Sequence, residues 1–249
     1  MTIILFDVDG TLTPSGQEIQ QEMIECLNTI TSLPNIELGL VGGGTYDKIK
    51  SQLLESISLF KYVFAECGAV IYVNGKLIQE KSMFDHCNRE KLNYIIKIAL
   101  SKISKMPIMY SGCQIDCRKG LVYISPPGMQ ATDYERNYFI ESDKKFNLRE
   151  NLLNQLKTLD IDQEFEICYG GNVGIAVYPV GWNKAQIMDF INDNVIFDKI
   201  YFFGDRTDPT GNDYPLYSHH QITGISVTDY FDTIIKLGKI FLSNHKPLH

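Results

Sequence analysis

The chain has 249 residues, 44% of them hydrophobic and 21% charged, so it can bury a sizeable core in one or two domains. Its formal net charge of −7 argues against a broad nucleic-acid footprint but leaves room for a local basic pocket that binds a small anion. No apolar run reaches the length of a membrane span, and the amino-terminal segment lacks the basic flank of a signal peptide. We therefore expect a cytoplasmic protein without a membrane or nucleic-acid partner.

The first part of the chain alternates strands and helices. The apolar run TIILF is typical of a strand that is buried on both faces. A helix should follow and end near Leu33-Pro34, because the residue before a proline disfavours helical backbone. We then predict a strand in IELGLV, a helix in YDKIKSQLLESISLF, a strand in KYVFAE and a hairpin with an Asn74-Gly75 turn. This alternation predicts a parallel sheet with right-handed crossovers.

The middle of the chain breaks this alternation. We predict a helix in REKLNYIIKIALSKI and short strands in MPIMYSG, CQIDCRKG and LVYISPPG. A long amphipathic helix should begin near Asp133 and break near Lys144, and further strands lie in FEICYGG and GIAVYPVG. Antiparallel strands combined with helices indicate an α+β insert.

The end of the chain returns to the first pattern. We predict a helix in NKAQIMDFIND, strands in KIYFFGD and ITGISV, and a last helix in DTIIKLGKIFL. The predicted fold is therefore α/β, with a parallel-sheet, Rossmann-like core formed by residues 1–81 and 183–249 and an inserted α+β cap formed by residues 82–182.

Carboxylates follow two of the predicted parallel strands. In an open parallel sheet, ligands bind beyond the carboxyl ends of the strands, and FDVDGT, LVGGGT and FFGD lie at such ends. If the first strand neighbours the FFGD strand, Asp7, Asp9 and Asp205 converge, and their repulsion calls for a cation such as Mg²⁺. Asp7 could then attack phosphorus while Asp9 acts as general acid and base. The alternative is that both acids only end a strand and begin a turn.

Six cysteines are scattered along the chain, and we expect reduced thiols because no export signal is present. Cys113 and Cys117 could contribute to a metal site, but no second pair or histidine partner stands at zinc spacing. The sequence therefore does not favour a zinc site.

Four longer motifs, FDVDGTLTP, YVFAECGAVIYVNGKL, VYPVGWNK and YFFGDRTDPTGND, together resemble those of the eukaryotic-type phosphomannomutases of the haloacid-dehalogenase superfamily. Their order and spacing fit over almost the whole chain. The resemblance implies a core with a mobile cap, a requirement for Mg²⁺, and interconversion of mannose 6-phosphate and mannose 1-phosphate. It further implies an aspartyl-phosphate, a hexose bisphosphate as intermediate and activator, a place in mannose metabolism that leads to GDP-mannose, and a homodimer formed through the caps.

The resemblance also implies roles for single residues. Asp7 would be the nucleophile and Asp9 the acid and base, and Mg²⁺ would be held by the carboxylates of Asp7 and Asp205 and the backbone carbonyl of Asp9. Lys184 would pair with the phosphoryl group and the nucleophile, although a lysine in a first helical turn is otherwise often solvated. Asn212 and Asp213 would support the metal, or else form a turn with a helix N-cap.

Two regions depart from the family pattern. The relatives carry Val-Gly-Gly-Ser-Asp where this chain has VGGGT, so we expect Gly43, Gly44 and Thr45 to bind the phosphate through backbone N–H groups and the threonine hydroxyl.

In the cap, Arg118 and Arg136 match arginines that bind the distal phosphate in the relatives, but Met129 replaces a third one. Gly174 and Ala176 stand where the relatives have serine and aspartate for the sugar hydroxyls, and Asn172 with Gln130 and Arg118 is a candidate replacement set. Loss of such partners predicts a changed substrate or a weaker mutase.

Three functions remain open at this point. The retained arginines and Lys184 favour a hexose-phosphate mutase. The losses in the cap favour a Mg²⁺-dependent sugar-phosphate phosphatase on the same scaffold. A non-catalytic sugar-phosphate-binding protein is the third alternative, against which the intact Asp7, Asp9 and Asp205 argue.

Overall fold

The structure, a computed structural model, describes residues 1–160 and 162–243. It divides into two compact units, one formed by Met1–Glu80 and the chain from Asn183 onward, here called the core, and one formed by Lys81–Trp182, here called the cap. In chain order the elements are β1 (Thr2–Phe6), α1 (Gln21–Thr31), β2 (Ile36–Val41), α2 (Tyr46–Leu53), β3 (Tyr62–Ala65), β4 (Val70–Val73), β5 (Lys76–Glu80), α3 (Arg89–Ile103), β6 (Ile115–Cys117), β7 (Val122–Ile124), α4 (Asp133–Phe146), α5 (Leu148–Leu159), β8 (Phe165–Gly170), β9 (Gly174–Pro179), α6 (Ile187–Asn194), β10 (Lys199–Gly204), α7 (Tyr214–Tyr217), β11 (Thr223–Ser226) and α8 (Tyr230–Leu237).

The core contains a seven-stranded sheet in the order β11-β10-β1-β2-β3-β4-β5. The strands from β11 to β3 are parallel, and β4 and β5 add an antiparallel hairpin at one edge. β1 lies in the interior of the sheet, and its last four residues are fully buried, as the apolar run TIILF predicts. The predicted Rossmann-like α/β core is confirmed.

The pairing of β1 with β10 has a direct consequence for the site. Phe6 at the end of β1 lies opposite Phe203 near the end of β10. The residues that follow the two strands therefore leave the same edge of the sheet side by side, as the sequence analysis required for Asp7 and Asp205.

The cap contains a four-stranded antiparallel sheet in the order β6-β7-β9-β8. Alternate residues of its strands, including Val122, Ile175 and Val177, join a buried cluster with Ile95 of α3 and Leu156 of α5. One face of the sheet is therefore covered by helices, and the predicted α+β insert is confirmed.

Some predicted elements are wrong or have different bounds. The helix predicted in YDKIKSQLLESISLF is α-helical only to Leu53, since Leu54 has a φ of 54° and Leu54–Leu59 form a 3₁₀ helix. Ser56, Ile57 and Ser58 are weak helix formers, which fits an early end of the α-helix.

The strand predicted in MPIMYSG is absent from residues 104–114, all of which the structure describes. The hydroxyl of Tyr110 instead donates to the carbonyl of Ile103, the last residue of α3, and to that of Met106, three residues beyond the helix. The predicted break near Lys144 lies at Asn147, whose φ of 52° separates α4 from α5.

The carboxyl-terminal segment adds two differences. The last predicted helix is α-helical to Leu237 and continues as a π-helical turn over Gly238–Leu242, and the short helix α7 was not predicted. Among the described helices, none combines the length and the hydropathy that a membrane crossing requires.

Candidate active site

Three carboxylates meet at the carboxyl edge of the core sheet. Asp7 follows β1, Asp205 follows β10, and Asp213 lies further along the loop that begins at Asp205. One oxygen of each lies within 4.8 Å of one oxygen of each of the others. The backbone N–H of Asp7 donates to the carbonyl of Phe203 at 2.9 Å, so the β1–β10 pairing extends to the acid itself.

Two glycines make this approach possible. A Cβ at Gly10 would lie 2.6 Å from Oδ2 of Asp205, and Gly10 has a φ of +84° that glycine adopts readily. A Cβ at Gly204 would lie 2.7 Å from Oδ2 of Asp213. Both positions therefore require the absence of a side chain, because the carboxylates occupy the space that it would fill.

A buried lysine links two of the acids. Lys184 is fully buried, and its Nζ lies 2.5 Å from Oδ1 of Asp7 and 2.5 Å from Oδ1 of Asp213. It begins a 3₁₀ turn over Lys184–Gln186, whose N-cap residue Asn183 accepts a hydrogen bond from the N–H of Ala185 at 3.0 Å. Lys184 is therefore no solvated first-turn lysine, and the structure brings it to the predicted nucleophile.

The cluster carries more negative than positive charge. Burial, and then the nearby charges of Asp213 and Asp205, raise the pKa of Asp7 to about 8 against the opposing effect of Lys184. Burial and Asp213 likewise raise the pKa of Asp205 to about 6. Burial alone would lower the pKa of Lys184, but Asp213 and Asp7 raise it above its usual value. One ammonium group does not neutralise three neighbouring carboxylates, of which Asp7 and Asp213 are buried, so a further cation would be stabilised here.

The oxygen atoms around this cluster fit a hard divalent cation. Within the described residues, Oδ1 of Asp205 and Oδ1 of Asn212 are buried without a hydrogen-bond partner. Carboxylate and amide oxygens are ligands that Mg²⁺ accepts. Both oxygens of Asp213 already accept, from Lys184 at 2.5 Å and from the backbone N–H of Arg206 at 3.0 Å. Asp213 thus orients the lysine and the loop as well as contributing to the acidic cluster.

Asp9 has a separate set of partners. Its Oδ1 accepts from the backbone N–H of Gly16 at 2.6 Å and from Nε2 of Gln52 at 2.8 Å, while Oδ2 lies 3.0 Å from Nζ of Lys48. Burial alone would raise the pKa of Asp9, but Lys48, Gly16 and Gln52 together hold that pKa below its usual value. Lys48 and Gln52 were not predicted from the sequence as site residues. Their spacing of four in the helix predicted after VGGGT does indicate that they project from the same side of that helix.

The predicted phosphate-binding loop precedes α2. The carbonyls of Gly42 and Gly44 accept from the N–H groups of Cys67 and Glu66 at 2.8 and 3.0 Å. Thr45 is the N-cap residue of α2, where its Oγ1 accepts from the N–H of Lys48 at 3.3 Å. Gly43 lies between these anchored positions, so the loop is held from both sides.

The predicted ligands of the cap lie in its own unit and are held by local contacts. Nε of Arg118 donates to Oδ2 of Asp116 at 2.7 Å. Nε of Arg136 donates to the carbonyl of Ala131 at 2.9 Å, and its Nη2 donates to that of Met129 at 3.3 Å. Asn172 is an exposed residue of the turn between β8 and β9.

Tyr123 accounts for one of the departures in the cap, the glycine at position 174. A Cβ at Gly174 would lie 2.3 Å from Cζ of Tyr123, and one at Gly170 would lie 2.6 Å from its Cε2. Ala176 lies opposite Tyr123 in the register of β7 and β9. The tyrosine hydroxyl donates to the carbonyl of Gly170 at 2.8 Å, and the Arg118 guanidinium lies 5.0 Å from the ring centroid. The space above Gly174 is therefore occupied by an aromatic ring, which the sequence analysis did not anticipate.

Comparison with known proteins identifies the family. A sequence model described as "Eukaryotic phosphomannomutase" matches residues 23–243. The chain belongs to this family. It is 37% identical over 243 residues to phosphomannomutase 1 of Mus musculus and equally to that of Homo sapiens, which covers 96% of this chain and 92% of either relative. It is 35% identical over 245 residues to a phosphomannomutase of Schizosaccharomyces pombe, covering 96% and 94%.

Solved structures of other proteins share the fold of this phosphomannomutase-family chain. A Plasmodium falciparum IMP-nucleotidase with bound IMP superposes with a TM-score of 0.64 at 18% identity, over 95% of this chain and 67% of that one. The carboxyl-terminal domain of C. albicans trehalose-6-phosphate phosphatase gives a TM-score of 0.63 at 17% identity, over 96% and 91%. At this identity the similarities concern the fold alone.

Proposed function

We propose that this phosphomannomutase-family protein interconverts mannose 6-phosphate and mannose 1-phosphate through an aspartyl-phosphate on Asp7 and a hexose bisphosphate. The contact of the buried Lys184 with both Asp7 and Asp213, at 2.5 Å each, is the main support from the structure. This contact supports the proposal, because a positive charge beside Asp7 would stabilise a phosphoryl group bound there. Phosphomannomutase relatives that match over 96% of the chain support the same reaction.

The reaction divides into two transfers. In the first, a bond forms between a carboxylate oxygen of Asp7 and phosphorus, the bond from phosphorus to the sugar oxygen breaks, and Asp9 gives its proton to that oxygen. In the second, ionised Asp9 takes the proton of the sugar hydroxyl that attacks the aspartyl-phosphate. Lys184 neutralises charge next to Asp7 throughout, because two carboxylates keep it protonated.

Asp7, Asp205 and the backbone carbonyl of Asp9 are the proposed ligands of Mg²⁺, with Asn212 and Asp213 in support. The unpartnered oxygens of Asp205 and Asn212 among the described residues favour this assignment. The bound ion would neutralise negative charge on the phosphoryl oxygens. The backbone of Gly43 and Gly44 and the hydroxyl of Thr45 are the proposed contacts of that phosphoryl group.

The phosphatase alternative rested on the losses in the cap. The ring of Tyr123 occupies the space that a side chain at position 174 would need, so the glycine there fits the packing within the cap and does not by itself favour the phosphatase. The full-length relatives favour the mutase over the phosphatase. Arg118 and Arg136 remain the proposed ligands of the distal phosphate, and Asn172 remains the proposed contact of the sugar.

Several finer parts of the proposal come from the family. They are activation by a hexose bisphosphate, a place in the supply of GDP-mannose, a cytoplasmic location and a homodimer formed through the caps. None of the six cysteines, all of which the structure describes, forms a disulfide, which suits a reducing compartment. Tyr94 and Leu100 of α3 are 52% and 42% exposed, so the cap offers apolar surface to a second copy.

The test is incubation with Mg²⁺, mannose 1-phosphate and a hexose bisphosphate. We expect mannose 6-phosphate to form, and release of inorganic phosphate without isomerisation would contradict the mutase.

The mutase activity of Asp7→Asn should be more than about a thousandfold lower than that of the wild type, since the amide is a poor nucleophile. The kinetics of the purified variant check this, with Asp208→Asn in the exposed part of the same loop as Asp205 as the control. An Asp7→Asn protein with full activity would refute the assignment of the nucleophile.

A further inference from the structure

Helix α2 places two side chains on the carboxylate of Asp9. Lys48 and Gln52 are four residues apart and so project from the same side of the helix. Nζ of Lys48 lies 3.0 Å from Oδ2, and Nε2 of Gln52 lies 2.8 Å from Oδ1. The N–H of Gly16 adds a third donor at 2.6 Å. Both oxygens of Asp9 are therefore held, and three independent donors determine the direction of the carboxylate.

Gln52 is a buried polar side chain whose amide donates a hydrogen bond to Asp9. It is only 6% exposed, and its amide also lies 3.4 Å from the carbonyl of Gln17. A buried amide is costly unless it is hydrogen-bonded, so Gln52 cannot turn away from Asp9 without loss. Ile49 and Leu53 of the same helix are buried, which anchors α2 and with it the position of Gln52.

Gly44 lies beside the side chain that Lys48 extends to Asp9. A Cβ at Gly44 would lie 3.3 Å from Cδ of Lys48, tighter than an ordinary contact. The lysine stem thus passes over the loop at the position where the loop has no side chain. Thr45 caps the helix through the N–H of Lys48 itself, which fixes the start of α2 next to the loop.

We propose that Lys48 and Gln52 are positioning residues that hold Asp9 in the orientation it needs to exchange a proton with the sugar oxygen. The inference rests on the proposed function, because it uses the acid-and-base role of Asp9. It assigns neither residue a contact with substrate. A carboxylate that is aligned in advance loses less orientational freedom on reaching the transition state. Loss of either donor should therefore slow proton transfer and leave the attack of Asp7 unchanged.

The two steps can be separated by the leaving group. Transfer of phosphate from a sugar requires a proton on the departing alkoxide, whereas nitrophenolate departs from p-nitrophenyl phosphate without one. We would compare Gln52→Leu and Lys48→Met, which keep the approximate shape but remove the donor, with Lys48→Arg, which keeps the charge. Lys50→Met is the matched control, since Lys50 is an exposed lysine of the same helix. Thermal unfolding shows whether each variant is folded.

The expected result is a split between kcat and KM. For mannose 1-phosphate with Mg²⁺ and a hexose bisphosphate, Gln52→Leu and Lys48→Met should lower kcat about tenfold or more and change KM by less than about threefold. The initial burst of nitrophenolate that accompanies phosphorylation of Asp7 should keep its rate. Lys48→Arg should restore most of the loss, and Lys50→Met should behave as the wild type.

Three results would overturn the inference. An equal loss in the nitrophenolate burst would show general damage to the site. A rise in KM alone would make Lys48 a substrate ligand. Unchanged kinetics would show that the contacts with Asp9 have no role in the reaction.

Failure of the proposed function would look different. If the wild type does not isomerise hexose phosphate, Asp9 must still activate water for hydrolysis of the aspartyl-phosphate. The steady-state release of nitrophenolate after the burst then reports on the activation of water by Asp9. Gln52→Leu and Lys48→Met must slow this steady-state release without slowing the burst. If they do not, the positioning role is wrong as well.

Discussion

At the scale of single residues, glycines of this protein lie against side chains that fill the space a Cβ would need. Gly174 and Gly170 have no side chain at the positions where Tyr123 lies, and the tyrosine hydroxyl donates to a carbonyl of the same strand pair. In the core, a Cβ at Gly44 would make a milder contact, 3.3 Å from the flexible stem of Lys48. A glycine in such a place cannot be interpreted alone, because its meaning is set by the neighbour that occupies the space.

Gly174→Ser should therefore destabilise the protein. The new Cβ would meet the ring of Tyr123, and overpacking of this kind costs about 1–3 kcal/mol. In the double variant that also carries Tyr123→Ala, the serine has room. The losses in the free energy of unfolding of the two single variants should therefore sum to more than the loss of the double variant. Urea unfolding of both single variants and the double variant measures this coupling. Strictly additive losses would show that the ring moves aside freely.

At the scale of secondary structure elements, one buried acid that follows α5 makes contacts with two other elements. Asp160 is 6% exposed and accepts from the N–H groups of Glu164 and Phe165 at 3.1 and 2.7 Å. Its Oδ1 also lies 2.6 Å from Nζ of Lys91 in α3. The carboxylate thus ties the end of one helix to the start of the edge strand and to a second helix.

Asp160→Asn should lower the free energy of unfolding by about 2 kcal/mol, in line with hydrogen bonds to a charged group. Asp162→Asn is the matched control, because Asp162 is 78% exposed and 3.5 Å from the same lysine, so it should change stability by less than about 0.5 kcal/mol. Chemical denaturation of the two variants tests this difference, and equal losses would contradict the role of the buried acid.

The effect of Asp160→Asn should depend on pH. Burial would raise the pKa of Asp160, but Lys91 and the two backbone N–H groups outweigh it and hold that pKa below 3.8. The stabilisation is thus complete above the pKa of the unfolded chain and is lost as the pH falls through the lower folded pKa. The gap in stability between the wild type and Asp160→Asn should therefore narrow below about pH 4.

At the scale of the whole molecule, the acid cluster makes stability depend on pH and on metal. The folded pKa values of Asp7 and Asp205, about 8 and about 6, lie above their usual 3.8. Between pH 4 and pH 8 the folded protein therefore binds more protons than the unfolded chain. The stability of the metal-free protein should fall as the pH rises over this range.

Mg²⁺ should offset this fall. A metal that binds only the folded state adds about 2.7 kcal/mol at about 100 times its Kd, and it requires deprotonated ligands. The rise in Tm on adding Mg²⁺ should therefore be larger at pH 8 than at pH 5. Asp205→Asn should lose most of the rise, while Asp208→Asn, in the exposed part of the same loop, should keep it. A rise that is equal at both pH values would argue against carboxylates that must first lose their protons.

The sequence by itself determined the order of the elements and the chemistry at the strand ends. A doubly buried strand needs a continuous apolar run, and TIILF supplies one directly before Asp7. The turn at Asn74-Gly75 could likewise be predicted from the sequence, and the structure has left-handed φ values of 50° and 71° at these two residues. These features are local in the chain, so periodicity and turn chemistry were sufficient to predict them.

The tertiary structure decided what depends on distant neighbours. The burial of Lys184 between Asp7 and Asp213 joins residues 177 and 29 positions apart, and no local pattern contains that information. The hydrogen bond from Gln52 to Asp9 and the position of Tyr123 over Gly174 likewise join residues that are far apart in the chain. Side-chain packing selects such contacts from many that the sequence permits, because whether two groups touch is set by the space that all the other side chains leave between them.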